Sequence, residues 1–182
     1  MKLNFEIKEI SKYSASSFVG EHHYSPVMPV LTKHYLGGFI DGELQGVLTL
    51  GWGTQPKHTI KKLFPDLDTD DYYEIGKMCL LDELPRNSET QFISAVIKWM
   101  KKNLPERKFL YTLADGIMGK AGYVYQAASF FYGGYFKTSV YRSDTGEKIH
   151  PRTSRELCKE NAIFLGKEKV FWLTHDFMET KG

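Results

Sequence analysis

Leu3, Phe5 and Ile7 alternate with polar neighbours, and this period of two predicts a first strand over residues 2–7. Ser11 then supplies an N-cap for a short helix reaching about residue 19, where Gly20 stops it. Pro26 and Pro29 keep the His22-His23-Tyr24-Ser25-Pro26 stretch irregular, because each biases the residue before it away from helix. Strands over 35–40 and 44–52 flank Asp41-Gly42, a dipeptide suited to the positive φ angles of a tight hairpin turn. Residues 54–71 carry little core signal beyond a short helix over 59–64, ended by Pro65. Ile75, Met78, Leu80 and Leu81 predict a largely buried strand over 72–81. Phe92, Ile93, Val96, Ile97 and Met100 then recur at helical spacing. Ser88 and Gln91 form a capping box before them and Pro105 lies past the end, so a helix is expected to about residue 103. A strand over 109–113 is followed by a helix over 121–132, packed through Val124, Ala127, Ala128 and Phe131 and ended by Gly133-Gly134. Strands over 135–141 and 169–173, with a short helix over 154–160 between them, complete the chain.

The order β-α-β-β-β-α-β-α-β-(α)-β is that of acetyltransferase-like (GNAT) folds. It predicts an α/β (α+β) architecture with a central mixed, mostly antiparallel sheet and helices on both faces. In such folds two central strands splay apart to form a cofactor cleft, and polar groups at strand carboxyl ends make the site. The chain has 182 residues and no internal repeat, which predicts a single domain over 1–182 with a substantial core.

Hydrophobic content of 42% fits a globular protein. No run reaches membrane-spanning length, and the amino terminus lacks the apolar stretch of a signal peptide. A cytoplasmic location without a membrane partner is expected. Cys79 and Cys158 lack metal-ligand spacing, and Cys79 sits in an apolar run as a small core residue. A net charge of +2 demands no polyanionic partner. The acids cluster at Asp66, Asp68, Asp70 and Asp71, leaving Lys57, Lys61, Lys62, Lys98, Lys101, Lys102, Arg107 and Lys108 either as patches facing phosphate or as a solvated mixed surface. The aromatic bursts around Tyr123, Tyr125, Phe130, Phe131 and Tyr132 are expected first as core, with platforms for stacked bases as the second reading.

Three places offer chemistry. Backbone N–H groups and the helix dipole make an anion site at Asn87, Ser88 and Glu89, to which Arg86 adds a forked donor; the same residues also make an ordinary helix cap. Acetyltransferases carry an Arg/Gln-x-x-Gly-x-Gly/Ala loop here that wraps coenzyme A pyrophosphate. This chain has Leu84-Pro85-Arg86-Asn87-Ser88-Glu89-Thr90, without glycine. The donor therefore stays open, as acetyl-CoA or another small activated molecule. Histidine in the His-His-Tyr-Ser tetrapeptide suits a general base and its tyrosine a hydrogen-bond donor, with one of His22 and His23 facing a site. Asp115, at a strand end before Gly116, Gly119 and Gly122, either accepts a proton from an amine or forms an Asx turn. Tyr125 and Gln126 lie one turn into the next helix. No metal-ligand spacing links His22, His23, His34 and Asp115.

HHYS, EIGKMCLLDELPRNSET and LADGIMGKAGYVYQAASFFYGG in that order resemble the phage Mom family of DNA-modification proteins over roughly residues 20–135. The resemblance implies a GNAT-like fold and a transferase that adds a carbamoylmethyl (acetamido) group to adenine N6 in phage DNA, blocking host restriction enzymes. DNA and a small-molecule donor are the implied partners, and the host cytoplasm the implied location. It places His23, Tyr24, Asp115 and Tyr125 in catalytic positions and Glu74, Arg86, Asn87 and Ser88 toward the cofactor. His22, Ser25, Lys120 and Gln126 fall toward the substrate. Two departures stand out: the family's Gly-His is Gly119-Lys120 here, and its Tyr-Ala-Asp is Leu113-Ala114-Asp115. Lys120 is expected to contact an anionic group instead. The implied chemistry has Asp115 or His23 taking a proton from N6 of a flipped adenine while Tyr24 holds or protonates the donor. An acyltransferase acting on a protein or small-molecule amine, and a non-enzymatic DNA-binding module, are the competing expectations.

Overall fold

The Asp41-Gly42 hairpin is formed, with φ of 51° at Asp41 and 85° at Gly42, and it pairs β2 (Thr32–Ile40) with β3 (Glu43–Gly51). A computed structural model describes residues 2–24, 26–53, 56–114, 122–142, 148–149 and 171–181, with backbone alone from residue 135 onward. Around the hairpin the sheet adds β1 (Glu6–Glu9), β4 (Tyr72–Leu80), β5 (Phe109–Ala114), β6 (Phe131–Arg142), β7 (Lys148–Ile149) and β8 (Phe171–Lys181). Its order is β1-β2-β3-β4-β5-β8-β6-β7. Each described pairing is antiparallel except β4 with β5. This is the GNAT-like mixed sheet that the element order predicts.

Alternation along β3 separates two cores, since successive side chains leave a strand on opposite faces. Leu48 and Leu50 face α3 (Ser88–Asn103), whose Phe92, Ile93, Val96 and Met100 pack on them together with Leu36 and Ile75. Val47 faces α1 (Lys12–His22), whose Ala15, Phe18 and Val19 pack beside Cys79. Helices thus cover both faces. Gly38 admits the Phe92 ring, because a Cβ there would stand 2.4 Å from Phe92 Cε2. Each such buried ring contributes about 1.5–3 kcal/mol.

The β4–β5 pairing positions the site. It runs in register from Tyr72↔Phe109 to Ile75↔Thr112 and then stops, although β4 continues to Leu80. At the same level β4 bulges: Leu50 pairs with Ile75 and Thr49 with Lys77, leaving Gly76 as the extra residue. The strands part at this point and leave a fork.

Several expectations are corrected. Helix α1 passes through Gly20 and ends at His22, with His23 as its cap. Ser11 does cap its start, its Oγ accepting from Ser14 N–H at 3.0 Å. The helix expected over 121–132 is only α4 (Tyr123–Ala127), because Ser129 turns left-handed at φ 65° and Phe131 already pairs with Glu179 of β8. Gly133 and Gly134 lie inside β6, at a bulge, so long-range strand pairing overrides the local helical pattern. Strand β8 extends well past the expected 169–173, and β1 starts later than expected. Residues 54–71 do carry core: besides the short α2 (Ile60–Leu63), Ile60 and Leu67 bury against Tyr72 and Tyr111. The helix expected over 154–160 lies outside the described residues.

Candidate active site

A cleft of about 750 Å³ opens at the fork. Ile75 to Leu81 of β4 and Thr112 to Ala114 of β5 form its walls, the turn through Pro85 and Arg86 closes one end, and α4 closes the other. His22, His23 and Tyr24 reach it from the end of α1. The chain leaves α1 extended at His23 (φ −111°, ψ 133°), and the His23 and Tyr24 rings stack with centroids 4.3 Å apart. His22 stays helical, packed on Phe18 at 4.7 Å. Both histidines line the cleft, because helix geometry and not an extended loop sets the direction of His22.

Arg86 and Ser88 line the same cleft. The expected capping box is absent: Asn87, left-handed at φ 70° and ψ 16°, is the N-cap residue, and Ser88 is the first helical residue. The Ser88 hydroxyl donates back to the Pro85 carbonyl, as does the Ser88 N–H at 3.2 Å. The Gln91 acceptor is taken by Leu3, its Oε1 accepting from Leu3 N–H at 2.7 Å, and its Nε2 donates to the Asn87 carbonyl at 3.4 Å. The turn therefore holds its shape through backbone bonds, and Arg86 is presented to the cleft. The α3 first turn supplies N–H groups and the positive end of the dipole. These residues suit an anionic portion of a donor, in place of the absent glycine loop.

Tyr125 of α4 reaches back to line the cleft with Thr112 of β5. The Thr112 hydroxyl donates across the β4–β5 pairing to the Ile75 carbonyl at 3.4 Å. Burial pushes the Tyr125 phenol above its ordinary pKa, and Thr112 opposes the shift. Tyr125 is accordingly a neutral hydroxyl donor. Burial likewise pushes the Cys79 thiol up, so it is no ready nucleophile.

The other expected residues divide. Asn87 shapes the turn without lining the cleft, and Gln126 of α4 does not line it either. Ser25, Asp115 and Lys120 lie outside the described residues. Glu74 faces a separate pocket of about 170 Å³ beside Gly51 and Gly53, where its Oε2 accepts from the Tyr111 hydroxyl at 2.5 Å. Sequence reading did not single out Tyr111, Thr112 or this pocket. The available signal was the close spacing of Gly51, Gly53 and Gly76 around an acid in an apolar strand.

Two of the cations read as a possible phosphate patch are paired instead. Arg107 Nη1 meets Asp70 Oδ1 at 3.2 Å, and Lys108 Nζ meets Asp71 Oδ1 at 2.6 Å. The parallel start of β4 and β5 sets the acidic cluster against them, with Lys108 N–H donating to the Asp71 carbonyl at 2.7 Å. Of the aromatic burst, Phe130 is buried, whereas Tyr123, Phe131 and Tyr132 are exposed. Among the described residues no helix is long and apolar enough to cross a membrane.

Comparison with known proteins agrees with this fold. The chain is similar to a GNAT-family acetyltransferase from Streptococcus pneumoniae, at TM-score 0.57 and 11% identity, over 98% of this chain and 100% of that one. It is also similar to the ribosomal-protein-S18-alanine N-acetyltransferase of Escherichia coli, at TM-score 0.54 and 8% identity, over 98% and 94% of the two chains. At such identities these likenesses show the fold. In sequence, the chain is 30% identical over 173 residues to the methylcarbamoylase Mom of Escherichia phage Mu, covering 94% of this chain and 71% of that protein. The chain is a transferase of GNAT-like fold. The Mom protein family model matches residues 4–181, and the chain belongs to that family.

Proposed function

We propose that the protein transfers a carbamoylmethyl (acetamido) or related small group to N6 of adenine in DNA, protecting that DNA from restriction enzymes. The observation that carries this reading is that His23, Tyr24, Tyr125 and Arg86 line one cleft at the β4–β5 fork. They bring acid–base groups and an anion-binding cation into one cleft, in a chain of the Mom family. Arg86 and the α3 N-terminus hold the anionic part of the donor. His23 takes a proton from N6 as the new N6–C bond forms, and the donor's leaving group departs with the electrons of the bond that breaks. Tyr24 and Tyr125 donate hydrogen bonds to the donor. A paired adenine keeps N6 out of reach, so the base is flipped, and the exposed rings of Tyr24 and Tyr123 at the cleft suit stacking on bases. Asp115, next in sequence after β5, is the alternative proton acceptor in this reading.

Nucleoside mass spectrometry of DNA from cells expressing the protein tests it. A new adenine derivative is expected, and His23→Ala removes it. An unmodified adenine pool under verified expression sinks the proposal. A second reading is favoured by the fold: an acyltransferase using acetyl-CoA on a protein or small-molecule amine. Calorimetry separates the two, since saturable acetyl-CoA binding without modified DNA supports the second.

A further inference from the structure

The small pocket shares Gly76 with the main cleft, so the two spaces meet at the bulge of β4. Three of its lining residues are glycines, and at Gly53 and Gly76 a side chain does not fit. A Cβ at Gly53 would stand 1.9 Å from Glu74 Oε2 and 2.7 Å from the Tyr111 hydroxyl, and one at Gly76 would stand 2.7 Å from Pro29 Cγ. A volume of about 170 Å³ holds about five waters' worth of space, the scale of one heteroaromatic base and too little for a nucleotide cofactor with its phosphates. Among the described residues two polar side chains line this space, Thr32, whose hydroxyl donates to the Pro29 carbonyl at 2.8 Å, and Glu74, the one carboxyl.

We propose that this pocket receives the target adenine and that Glu74 reads its Watson–Crick edge: Oε2 accepts from the N6 amine, and a protonated Oε1 donates to ring N1. The proposal rests on the reading of adenine as the substrate and names the residue that recognises it. Tyr111 sets the arrangement, because its hydroxyl already donates to Oε2 and so marks that oxygen as the carbonyl-like acceptor. The groups facing Glu74 are Tyr111 of β5 and Tyr72 of β4, and burial keeps both phenols neutral. Withdrawal from water pushes the Glu74 carboxyl above the usual carboxylate range, with the Tyr111 hydrogen bond opposing. In its protonated form, which that burial favours, the acid is both donor and acceptor, as an adenine edge requires. The N6 amine then lies at Gly76, the junction with the cleft that holds the donor.

The test uses the full chain and single-stranded oligonucleotides carrying one adenine or one 1-deazaadenine, in which a C–H replaces N1, followed by fluorescence anisotropy. The unaltered protein is expected to bind the adenine strand about tenfold more tightly. Glu74→Leu abolishes that preference. Glu74→Gln keeps it, since the amide presents the same acceptor and donor, and keeps it at alkaline pH where the unaltered protein loses it. Equal binding of the two strands by the unaltered protein overturns the proposal and does not depend on any variant folding. Glu74→Gln that binds adenine selectively but yields no modified base in cells also overturns it, because Glu74 would then be a proton acceptor. The two readings fail separately. Modified adenine in cells without an N1 preference sinks the pocket assignment alone. An N1 preference without modified adenine supports the pocket and sinks the reaction.

Discussion

Glu74 and Tyr111 are register partners in the parallel β4–β5 ladder, and the Tyr111 hydroxyl donates to the Glu74 carboxyl at 2.5 Å. Both side chains leave the sheet on the same face, where Tyr111 is fully buried beside Ile60 and Tyr72. Tyr111→Phe removes the donor and leaves the buried carboxyl short of one partner. It is expected to cost about 1–3 kcal/mol, read from urea unfolding.

The same carboxyl makes stability fall with pH. Its pKa is raised in the folded protein from an ordinary 4.5, so the folded state holds the proton more tightly than the unfolded chain. Stability is greatest below the unfolded value, declines as pH rises toward the folded value, and carries the full penalty above it. Glu74→Gln lacks this decline. Its melting temperature relative to the unaltered protein is expected to rise with pH, and thermal unfolding across a pH series checks the sign.

Arg107 lies over the Tyr73 ring, its guanidinium carbon 4.4 Å from the centroid and its side chain only 10% exposed. Its partner Asp70 is 88% exposed, so that ion pair is screened. Arg107→Ala is expected to cost about 2 kcal/mol through lost stacking and stem packing. Asp70→Ala stays within about 0.5 kcal/mol. Arg107→Lys recovers less than half, because a point charge cannot stack. Melting temperatures rank the three.

Asn87 holds the left-handed position before α3 without lining the cleft. Asn87→Gly is expected to be neutral or stabilising by up to about 1 kcal/mol, and Asn87→Ala to cost about 1 kcal/mol, because a Cβ disfavours that conformation. Asn87→Gly retains full product yield by nucleoside mass spectrometry. Arg86→Ala in the same turn lowers yield about tenfold, as loss of a charge-assisted contact does.

Much of the fold was legible in the chain because its strongest signals are local. Asp41-Gly42 forces a hairpin, and the spacing of Phe92, Ile93, Val96 and Met100 forces an amphipathic helix. The reading failed where partners distant in sequence dominate. Residues 128–132 look helical by themselves, yet β8 recruits Phe131 and Tyr132 into a strand. Ser88 and Gln91 look like a capping box, yet Leu3 claims Gln91 and Pro85 claims Ser88. Lys108 looks like a free cation, yet strand register brings Asp71 to it.

For the site, the motifs around His23, Arg86 and Tyr125 marked residues that chemistry needs, and those types and their order are properties of the chain alone. That His22, His23, Arg86, Ser88 and Tyr125 line one cleft while Glu74 turns to another follows from two events in space. Strands β4 and β5 part after Ile75 and Thr112, and β4 bulges at Gly76. A one-residue shift in a strand moves a side chain to the opposite face, and pairing with neighbouring strands, not local sequence, determines where that shift occurs.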